Sequence, residues 1–357
     1  MPEDPSNEAG VVRLEGAEDA PAVIGGGYFP VLVRLQDGTL GAVVRGGAPH
    51  LGVQGRLDWI HSEDGGKTWS EPTVIVDSQW DDRNPAVGVM PDGTVVVSYA
   101  EASTYNAQGR FDMSTGRYAL FYVLSTDNGK TWSEKIPLCP DLFDYGSPYG
   151  RIIVRRDGTA LMPLYLWPQK LEELRGTVTR QQLTCAGFVR STDNGRTWGD
   201  WSLIATGHNE TSLEELPDGR LIAAMRTEDG AVSVADSGDG GRTWSAPRRI
   251  TKPGQHPPDL CRLQSGALLM VFGCRLEPKG VQAILSEDGG RTWPFERRVF
   301  LAWQCLNTDC GYPSAVQWDD GTLVVLYYAV GTVDRPEEQA RCVRFTEAQM
   351  RAAMEGK

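Results

Sequence analysis

Glu210 and Tyr312 are the two residues of this sequence whose types and positions most directly suggest chemistry. Each lies nine residues before the glycine of an Asp-Gly turn, Gly219 or Gly321, and so at the start of the strand that leads into that turn. A carboxylate beside a phenol can accept its proton and make the phenolic oxygen a nucleophile. The alternative is a structural hydrogen-bonded pair that performs no chemistry.

Arginines occupy positions that should lie close to this pair. Arg45 and Arg226 follow their turn glycines by seven residues and Arg275 by nine, which places all three at the strand end that carries Glu210 in an antiparallel hairpin. Guanidinium groups bind carboxylates through paired hydrogen bonds, and several together need an anion to neutralise them. We therefore expect an anion site, unless the arginines pair with nearby Asp or Glu. The predicted substrate-binding residues are Arg45, Arg83, Tyr149, Arg151, Arg226, His256 and Arg275.

Two interleaved repeats indicate the elements that position these residues. The pattern S-x-D-x-G-x-T-W occurs five times, at residues 62–69, 125–132, 191–198, 237–244 and 286–293. Its Asp-x-Gly centre predicts a hairpin turn in which the aspartate accepts backbone hydrogen bonds, so we interpret these Asp boxes as structural. A second turn lies between apolar runs at six places, at Gly38, Gly93, Gly158, Gly219, Gly266 and Gly321.

These repeats predict an all-β fold, a single six-bladed β-propeller of four-stranded antiparallel sheets. The sixth unit lacks an Asp box, and the strand-like residues 11–14 are expected to supply its outer strand. We expect residues 1–10 to be a flexible segment, residues 11–345 to form the propeller and residues 346–357 to form a short C-terminal helical tail. In a propeller the inner strands line a central channel, and ligands bind where these strands open at one face.

The amino-acid composition argues against some classes of binding partner. The chain has 357 residues and a formal net charge of −12, and it has no cluster of Lys and Arg of the kind that binds nucleic acid. Its seven cysteines lack metal-ligand spacing and are expected to be free and buried, so neither a metal nor a cofactor is predicted. The acidic N-terminus has no apolar core of a signal peptide and no stretch predicts a membrane span, so a cytoplasmic location is expected.

The repeats and the site residues together resemble the sialidase superfamily, the six-bladed propellers with Asp boxes, over residues 25–330. Glu210-Thr-Ser-Leu-Glu-Glu-Leu-Pro-Asp-Gly, followed by Arg226, resembles the segment with the tyrosine-activating glutamate and the second arginine of the family's triad. Arg275 resembles the third arginine, and Gly311-Tyr312-Pro-Ser resembles the strand with the nucleophile. The resemblance implies a retaining glycosidase whose tyrosine attacks an anomeric carbon that bears a carboxylate.

Two positions depart from the family's pattern. Tyr28-Phe29-Pro30 stands where the resemblance implies Arg-Ile-Pro, so the first triad arginine is missing and Arg45 is its candidate substitute. Asn84 stands where the family has the aspartate that acts as acid and base, and an amide cannot donate a catalytic proton. Asp82 and His50 are the candidate replacements, because Asp82 is close in sequence and His50 lies on a loop near the same channel mouth.

Three functions stay open at the level of the sequence. The first is a sialidase-like glycoside hydrolase that releases a terminal acidic sugar, with Tyr312, Glu210, Asp82 and His50 as its catalytic candidates. The second is a lyase that acts on a uronate at the same site, with a tyrosine or histidine as base and acid. The third is a glycan-binding propeller without catalysis. The expected partner is an acidic glycan or glycoconjugate, with no nucleic acid and no membrane.

Overall fold

Six small antiparallel sheets form the six blades of a β-propeller, which confirms the predicted fold class. The computed structural model describes residues 12–112, 116–139, 146–167 and 184–355. The predicted N-terminal segment, residues 1–10, therefore lies outside the described residues.

The strands of the first three blades follow one another in chain order. Two N-terminal strands precede them, β1 (Val12–Arg13) and β2 (Glu18–Ile24). Blade 1 contains β3 (Tyr28–Arg34), β4 (Leu40–Gly46), β5 (Arg56–Ser62) and β6 (Thr73–Val76). Blade 2 contains β7 (Asp81–Val89), β8 (Val95–Ala102), β9 (Tyr118–Ser125) and β10 (Ile136–Pro137). Blade 3 contains β11 (Gly146–Pro148), β13 (Ile153–Val154), β14 (Ala160–Leu166), β15 (Cys185–Ser191) and β16 (Gly199–Thr206). Between β11 and β13, the short β12 (Gly150–Arg151) pairs in parallel with β7 of blade 2.

The remaining blades repeat this arrangement. Blade 4 contains β17 (His208–Glu215), β18 (Leu221–Thr227), β19 (Val232–Ser237) and β20 (Arg248–Arg249). Blade 5 contains β21 (Gln255–Arg262), β22 (Leu268–Cys274), β23 (Gly280–Ser286) and β24 (Val299–Ala302), with a 3-10 turn at Phe295–Arg297 before its last strand. Blade 6 contains β25 (Cys310–Gln317), β26 (Thr322–Thr332) and β27 (Arg335–Thr346).

Strand β2 closes the ring, and the residues predicted for this role do not. It pairs antiparallel with β27 as the outer strand of blade 6, with Glu18 opposite Arg344 and Ile24 opposite Gln339. Residues Val12 and Arg13 pair in parallel with β24 of blade 5 instead, so the prediction for residues 11–14 is wrong by one blade. The sequence signal was weak because β2 is an outer strand whose side chains are mostly exposed, and such a strand needs no apolar alternation.

Apolar side chains pack between neighbouring blades and fix the blades against one another. One such cluster joins Val31 and Val43 of blade 1 to Val87, Val97 and Tyr99 of blade 2. Because both faces of an inner sheet are covered, its strands read as nearly continuous apolar runs, and β8 is buried along its whole length. The positions of the inner strand ends are therefore set by the packing of the whole ring.

The one α-helix of the described residues, α1 (Glu347–Glu355), follows β27, in agreement with the predicted helical tail. Its buried Met350 joins the apolar cluster between blades 5 and 6, which attaches the helix to the outside of the propeller. Within the described ranges, no helix is long and apolar enough to cross a membrane.

The Asp boxes hold the turns at the outer strands through a repeated set of hydrogen bonds. In the first box Asp64 Oδ1 accepts hydrogen bonds from Ser62 Oγ at 2.9 Å and from the backbone N–H groups of Lys67 and Thr68 at 3.0 and 2.9 Å. Partial burial opposes the ionisation of Asp64, but the hydrogen bonds outweigh it and lower its pKa to about 2. These contacts agree with the interpretation of the boxes as structural.

We expect Asp64→Ala to lower the free energy of unfolding by about 1 kcal/mol, because water replaces the lost hydrogen bonds only in part at this exposed site. Equilibrium urea unfolding measures the change. Glu63→Ala is the matched control, since Glu63 is an exposed neighbour in the same Asp box and its side chain has no hydrogen bond within the described part of the chain. Equal unfolding midpoints for the two variants would contradict a structural role of the box.

Candidate active site

The start of each inner strand departs from regular pairing at the positions that the turn spacing predicted. Register shifts interrupt the inner pair in five blades, between residues 28 and 31, 83 and 86, 208 and 211, 255 and 258, and 311 and 314. In blade 3 the inner strand breaks at Tyr149, between β11 and β12. A bulge redirects side chains out of the regular alternation of a strand. This brings residues from different blades together near the axis.

Three of these positions carry backbone strain. Phe29, Asn84 and Tyr312 have φ angles of 52°, 54° and 50°, a left-handed conformation that costs non-glycine residues on the order of 1–3 kcal/mol. Proline follows each of them. Strain of this size persists where the surrounding structure holds it, and it concentrates at functional sites. Phe29, Asn84 and Tyr312 therefore mark the candidate functional site.

An aromatic cluster surrounds Tyr312. The centroid of its ring lies 4.9 Å from that of Phe29, 5.7 Å from that of Tyr328 and 5.9 Å from that of Tyr149. Tyr28 and Tyr165 belong to the same buried cluster. The aromatic rings leave the phenolic oxygen of Tyr312 few polar neighbours.

Glu210 and Arg226 supply the polar neighbours of that oxygen. Tyr312 Oη donates a hydrogen bond of 2.5 Å to Glu210 Oε1, and Arg226 Nη1 donates one of 2.8 Å to Glu210 Oε2. The same Nη1 lies 3.5 Å from Tyr312 Oη. The phenol, carboxylate and guanidinium thus form one hydrogen-bonded group, as the spacing of Glu210 and Tyr312 predicted.

The electrostatics of this group keep Tyr312 protonated in the free protein. Burial raises the pKa of Tyr312 above its ordinary value and the charge of Glu210 raises it further, while Arg226 and Arg275 oppose the rise. The proton of the phenol is directed at a carboxylate that can accept it. The arrangement therefore can form a phenolate only when a reaction at the oxygen draws the proton to Glu210.

A close approach of two glycines sets the position of Tyr312. Gly311 has φ of 105°, and a Cβ at this residue would lie 2.9 Å from Cα of Gly273 in blade 5. A Cβ at Gly273 would lie 2.6 Å from the carbonyl oxygen of His256. The inner strands of blades 5 and 6 can meet here only because both residues lack a side chain.

Arg275 and His256 contribute unpaired nitrogen atoms to the same region. The guanidinium carbon of Arg275 lies 5.9 Å from the centroid of the Tyr312 ring, and no described residue forms an ion pair with it. Nε of Arg226, Nε of Arg275 and Nδ1 of His256 are all buried without a hydrogen-bond partner among the described residues. Buried donors of this kind cost about 1–3 kcal/mol each when unsatisfied, so the site is suited to an anion with several acceptor oxygens.

Arg45 does not join this group, contrary to the prediction. It is fully buried, and its Nε and Nη2 donate to Asp81 Oδ1 at 2.9 and 2.6 Å. Its other hydrogen bonds go to the backbone carbonyls of Ala48, Pro49 and Gly52. All five N–H groups are used, so Arg45 has no donor for a substrate carboxylate.

Arg83 and Arg151 are also held by local carboxylates. Arg83 Nη1 donates to Asp81 Oδ2 at 3.0 Å, and its guanidinium lies 5.8 Å from the ring of Phe29, at the margin of the aromatic cluster. Arg151 Nη2 lies 3.3 Å from Asp259 Oδ1 and also donates to the carbonyl of Leu260, linking blade 3 to blade 5. Arg45, Arg83 and Arg151 therefore pair with nearby carboxylates, which is the alternative that the sequence left open. Arg226 and Arg275 instead lie beside Tyr312.

Asp82 is hydrogen-bonded to a serine of the preceding loop rather than to the reacting group. It is fully buried, and its carboxylate accepts hydrogen bonds from the N–H and Oγ of Ser78 at 2.7 and 2.9 Å. Burial, and beyond it the charges of Glu101 and Asp81, raises the pKa of Asp82 to about 7 in spite of these bonds. Such a carboxyl could donate a proton, but no hydrogen bond within the described ranges connects it to Tyr312 or Glu210.

His50 lies much closer to the aromatic cluster. Its ring centroid is 4.9 Å from that of Phe29 and 6.3 Å from that of Tyr328. Asn84, by contrast, donates from Nδ2 to Ser147 Oγ at 2.7 Å and is part of a polar contact between blades 2 and 3. Of the two candidate proton donors, the structure brings only His50 to the rings around Tyr312.

Asp309 is a member of the site that the sequence analysis missed. Its Oδ1 lies 2.6 Å from His50 Nδ1 and accepts a hydrogen bond of 2.6 Å from Tyr328 Oη. Burial opposes its ionisation, but the hydrogen bond and charge of His50, with smaller contributions from Tyr328 and Arg275, lower the pKa of Asp309. Its position three residues before Tyr312 was the available signal, but it falls outside the nine-residue spacing. In the part of the chain that the structure describes, no group of three or more His, Cys, Asp or Glu could hold a metal ion.

Comparisons with known proteins agree with this architecture. The profile of the family described as BNR repeat-like domain matches residues 59–325. The chain is 28% identical over 243 residues to a sialidase of Paraclostridium sordellii and 27% identical over 240 residues to a sialidase of Clostridium perfringens. Each match covers 61% of this chain, and the chain spans 57% and 60% of the length of the two sialidases.

Solved structures share the fold. A protein of unknown function from Dyadobacter fermentans superposes with a TM-score of 0.78 at 22% identity, over 93% of this chain and 100% of that one. Trypanosoma rangeli sialidase, in a complex with 2,3-difluorosialic acid described as a covalent intermediate, superposes with a TM-score of 0.67 at 16% identity. That match covers 96% of this chain and 60% of the sialidase.

We expect His256 to stay uncharged across the neutral pH range. Burial lowers its pKa to about 2, with further contributions from the charges of Arg226 and Arg275. Its imidazole NMR signal, assigned by comparison with His256→Gln, should not shift between about pH 5 and 8. Because the unfolded chain protonates this residue below pH 6.5, its contribution to stability should fall as the pH drops below that value. A signal that titrates near neutral pH would contradict the burial of His256 between two cations.

Proposed function

The chain belongs to the family of BNR repeat-like domains and to the sialidase superfamily, and from this membership we propose that it is a retaining glycoside hydrolase that releases a terminal acidic sugar. The observation that carries the proposal is the 2.5 Å hydrogen bond from Tyr312 Oη to Glu210 Oε1, next to the guanidinium groups of Arg226 and Arg275. The two relatives named as sialidases support a sugar whose anomeric carbon bears a carboxylate.

The first chemical step uses Tyr312 as the nucleophile. As its Oη forms a bond to the anomeric carbon, the phenolic proton moves to Glu210, and the electron pair of the broken glycosidic bond goes to the leaving oxygen. A neutral phenol suits this substrate because a carboxylate nucleophile would be repelled by the carboxylate on the anomeric carbon. Before the step Glu210 forms an ion pair of 2.8 Å with Arg226.

The substrate carboxylate binds to Arg226 and Arg275 in this proposal. Both guanidinium groups have a buried Nε without a partner in the described residues, and Arg275 has no ion pair there. His256 is neutral beside them, so its Nδ1 can take part in a hydrogen bond without adding charge. Since Arg45 is committed to Asp81 and a loop, two arginines hold the carboxylate where the family pattern has three.

The second step reverses the first. A water molecule attacks the anomeric carbon and passes one proton to a base of the site, the electron pair of the tyrosyl bond returns to Oη, and Oη recovers its proton from Glu210. The product keeps the anomeric configuration of the substrate because each of the two displacements inverts it.

Product analysis on a panel of 4-nitrophenyl glycosides of N-acetylneuraminic acid, its deaminated analogue and glucuronic acid distinguishes the proposed hydrolase from the two alternative functions. A hydrolase releases the free sugar acid from one of them. A lyase acts on an internal uronate and forms an unsaturated product that absorbs in the ultraviolet. A glycan-binding propeller turns over neither the glycosides of the panel nor the substrates of a lyase, but it binds the sugar acid.

We expect Tyr312→Phe to lower kcat by more than 1000-fold, about 4 kcal/mol of barrier, because it removes the nucleophilic oxygen. Glu210→Gln should lower kcat by roughly 100-fold or more, because the amide cannot accept the phenolic proton. Steady-state kinetics on the best substrate of the panel measures both effects.

Tyr99→Phe is the matched control for the tyrosine substitution. Tyr99 is buried between blades 1 and 2, and its hydroxyl has no partner among the described residues. This variant should turn over substrate like the unmodified protein. Wild-type turnover by Tyr312→Phe would exclude tyrosine as the nucleophile.

A further inference from the structure

We infer that His50, paired with Asp309 and positioned by the buried Arg45, is the group that protonates the leaving oxygen and later deprotonates the attacking water. This assignment rests on the proposed function, because it supplies the acid and base that the hydrolysis requires. It replaces the aspartate that the family pattern places at Asn84.

The His50–Asp309 pair has the geometry of an oriented acid and base. Nδ1 of His50 lies 2.6 Å from Asp309 Oδ1, so Nδ1 carries the proton that the carboxylate accepts. His50 Nε2 has no hydrogen-bond partner in the described residues, and the side chain is 30% exposed. The pair therefore leaves one ring nitrogen free to exchange a proton with a substrate or with water.

The imidazole lies close enough to Tyr312 to reach a substrate bound there. The rings of His50 and Tyr312 each have a centroid 4.9 Å from that of Phe29, so the two rings lie no farther apart than twice that distance. Both also contact the ring of Tyr328, at 6.3 and 5.7 Å between centroids. Phe29, which stands in place of the missing triad arginine, thus contacts the rings of both groups.

Arg45 gives the second, independent observation. Its guanidinium is fully buried and donates to the carbonyl oxygens of Ala48, Pro49 and Gly52, on both sides of His50. The ion pair with Asp81 anchors it from blade 2. A buried charge is costly unless each of its donors has a hydrogen-bond partner. Here three carbonyl groups of one loop accept hydrogen bonds from Arg45, and Asp81 accepts the other two. His50 is the only ionisable residue from Gly47 to Gly55. The hydrogen bonds of Arg45 fix the path of the backbone that carries this side chain.

Tyr28 contacts the same loop. Its hydroxyl contacts the backbone of His50, and the two rings lie 6.1 Å apart. Tyr28 and Phe29 thus both contact His50. The replacement of Arg-Ile-Pro by Tyr28-Phe29-Pro30 and the loss of the acid at Asn84 are therefore connected: the new aromatic residues support the new proton donor.

The proposed proton transfers balance with the two displacements. In the first step the protonated Nε2 gives its proton to the glycosidic oxygen as that oxygen receives the electron pair of the broken C–O bond. In the second step Nε2 removes a proton from the attacking water as the water oxygen bonds to the anomeric carbon. Water is the only co-reactant, and His50 ends in its starting protonation state.

Several charged and titratable groups surround the imidazole. Asp309 faces it from the loop before β25, Tyr328 from β26 and Tyr28 from β3, while Arg45 lies under its own loop. Asp309 is the only anion in hydrogen-bond contact with the imidazole among the described residues. Asp309 is a positioning residue, because it acts on the substrate through His50.

The test compares leaving groups in His50→Ala. Values of kcat/KM are measured on the 4-nitrophenyl glycoside and on an alkyl glycoside of the sugar acid that the wild-type protein turns over fastest in the panel. The variant should lose at least 100-fold on the alkyl glycoside, whose leaving oxygen needs a proton, and less than 10-fold on the 4-nitrophenyl glycoside, which leaves as a stable anion. Azide, which attacks without a base, should accelerate the variant's turnover of the 4-nitrophenyl glycoside and yield the glycosyl azide.

Asp309→Asn tests the positioning role. With a neutral partner for Nδ1, the alkaline limb of kcat/KM on the alkyl glycoside should move to lower pH, while the activity at the optimum changes less than in His50→Ala. His61→Ala is the control, because His61 is an exposed histidine of the same blade and should leave both the rate and the pH profile unchanged.

The outcomes separate this assignment from the proposed function. Equal losses of His50→Ala on both glycosides, or no loss on either, would overturn the role of His50 if Tyr312→Phe still abolishes turnover. Turnover by Tyr312→Phe, or a panel without any turnover, would overturn the hydrolase itself and the assignment with it. Circular dichroism and thermal unfolding of each variant identify losses that come from misfolding.

Discussion

The hydrogen-bonded group of Tyr312, Glu210 and Arg226 is the constraint on which the rest of this structure depends. A carboxylate that is mostly buried must keep its partners, because a charge left alone at low solvent exposure is strongly destabilising. The partners come from strands in two different blades, with Glu210 and Arg226 in blade 4 and Tyr312 in blade 6. Their contact therefore requires the ring of blades to be closed and tightly packed.

The arginines near the axis differ in their hydrogen-bond partners. Arg45, Arg83 and Arg151 are paired with carboxylates and hold loops or neighbouring blades together. Arg275 has no such pairing among the described residues, and Arg226 shares its carboxylate with the phenol. Three of these guanidinium groups thus serve as internal supports, and Arg226 and Arg275, which lie beside Tyr312, are the two that the proposed function assigns to the substrate carboxylate.

The sequence predicted the fold and the central pair because both depend on repetition. Turn glycines recur in all six units and Asp boxes in five of them. The spacing from a turn therefore gives the position of a residue at the axis, as it did for Glu210 and Tyr312. The ring closure by β2 escaped prediction because an exposed outer strand carries little pattern. Asp309 and the pairing of Arg45 with Asp81 escaped it because they depend on loops and on contacts between units, which spacing within one unit does not encode.

Covalent trapping tests the central claim most directly. A 2,3-difluoro derivative of the sugar acid should form the first intermediate quickly and hydrolyse slowly, because fluorine beside the anomeric carbon disfavours the positive charge of both transition states. Mass spectrometry of the treated protein should show one added sugar per chain, and peptide mapping should place it on Tyr312. An adduct on another residue, or continued turnover of the derivative without any adduct, would contradict the account.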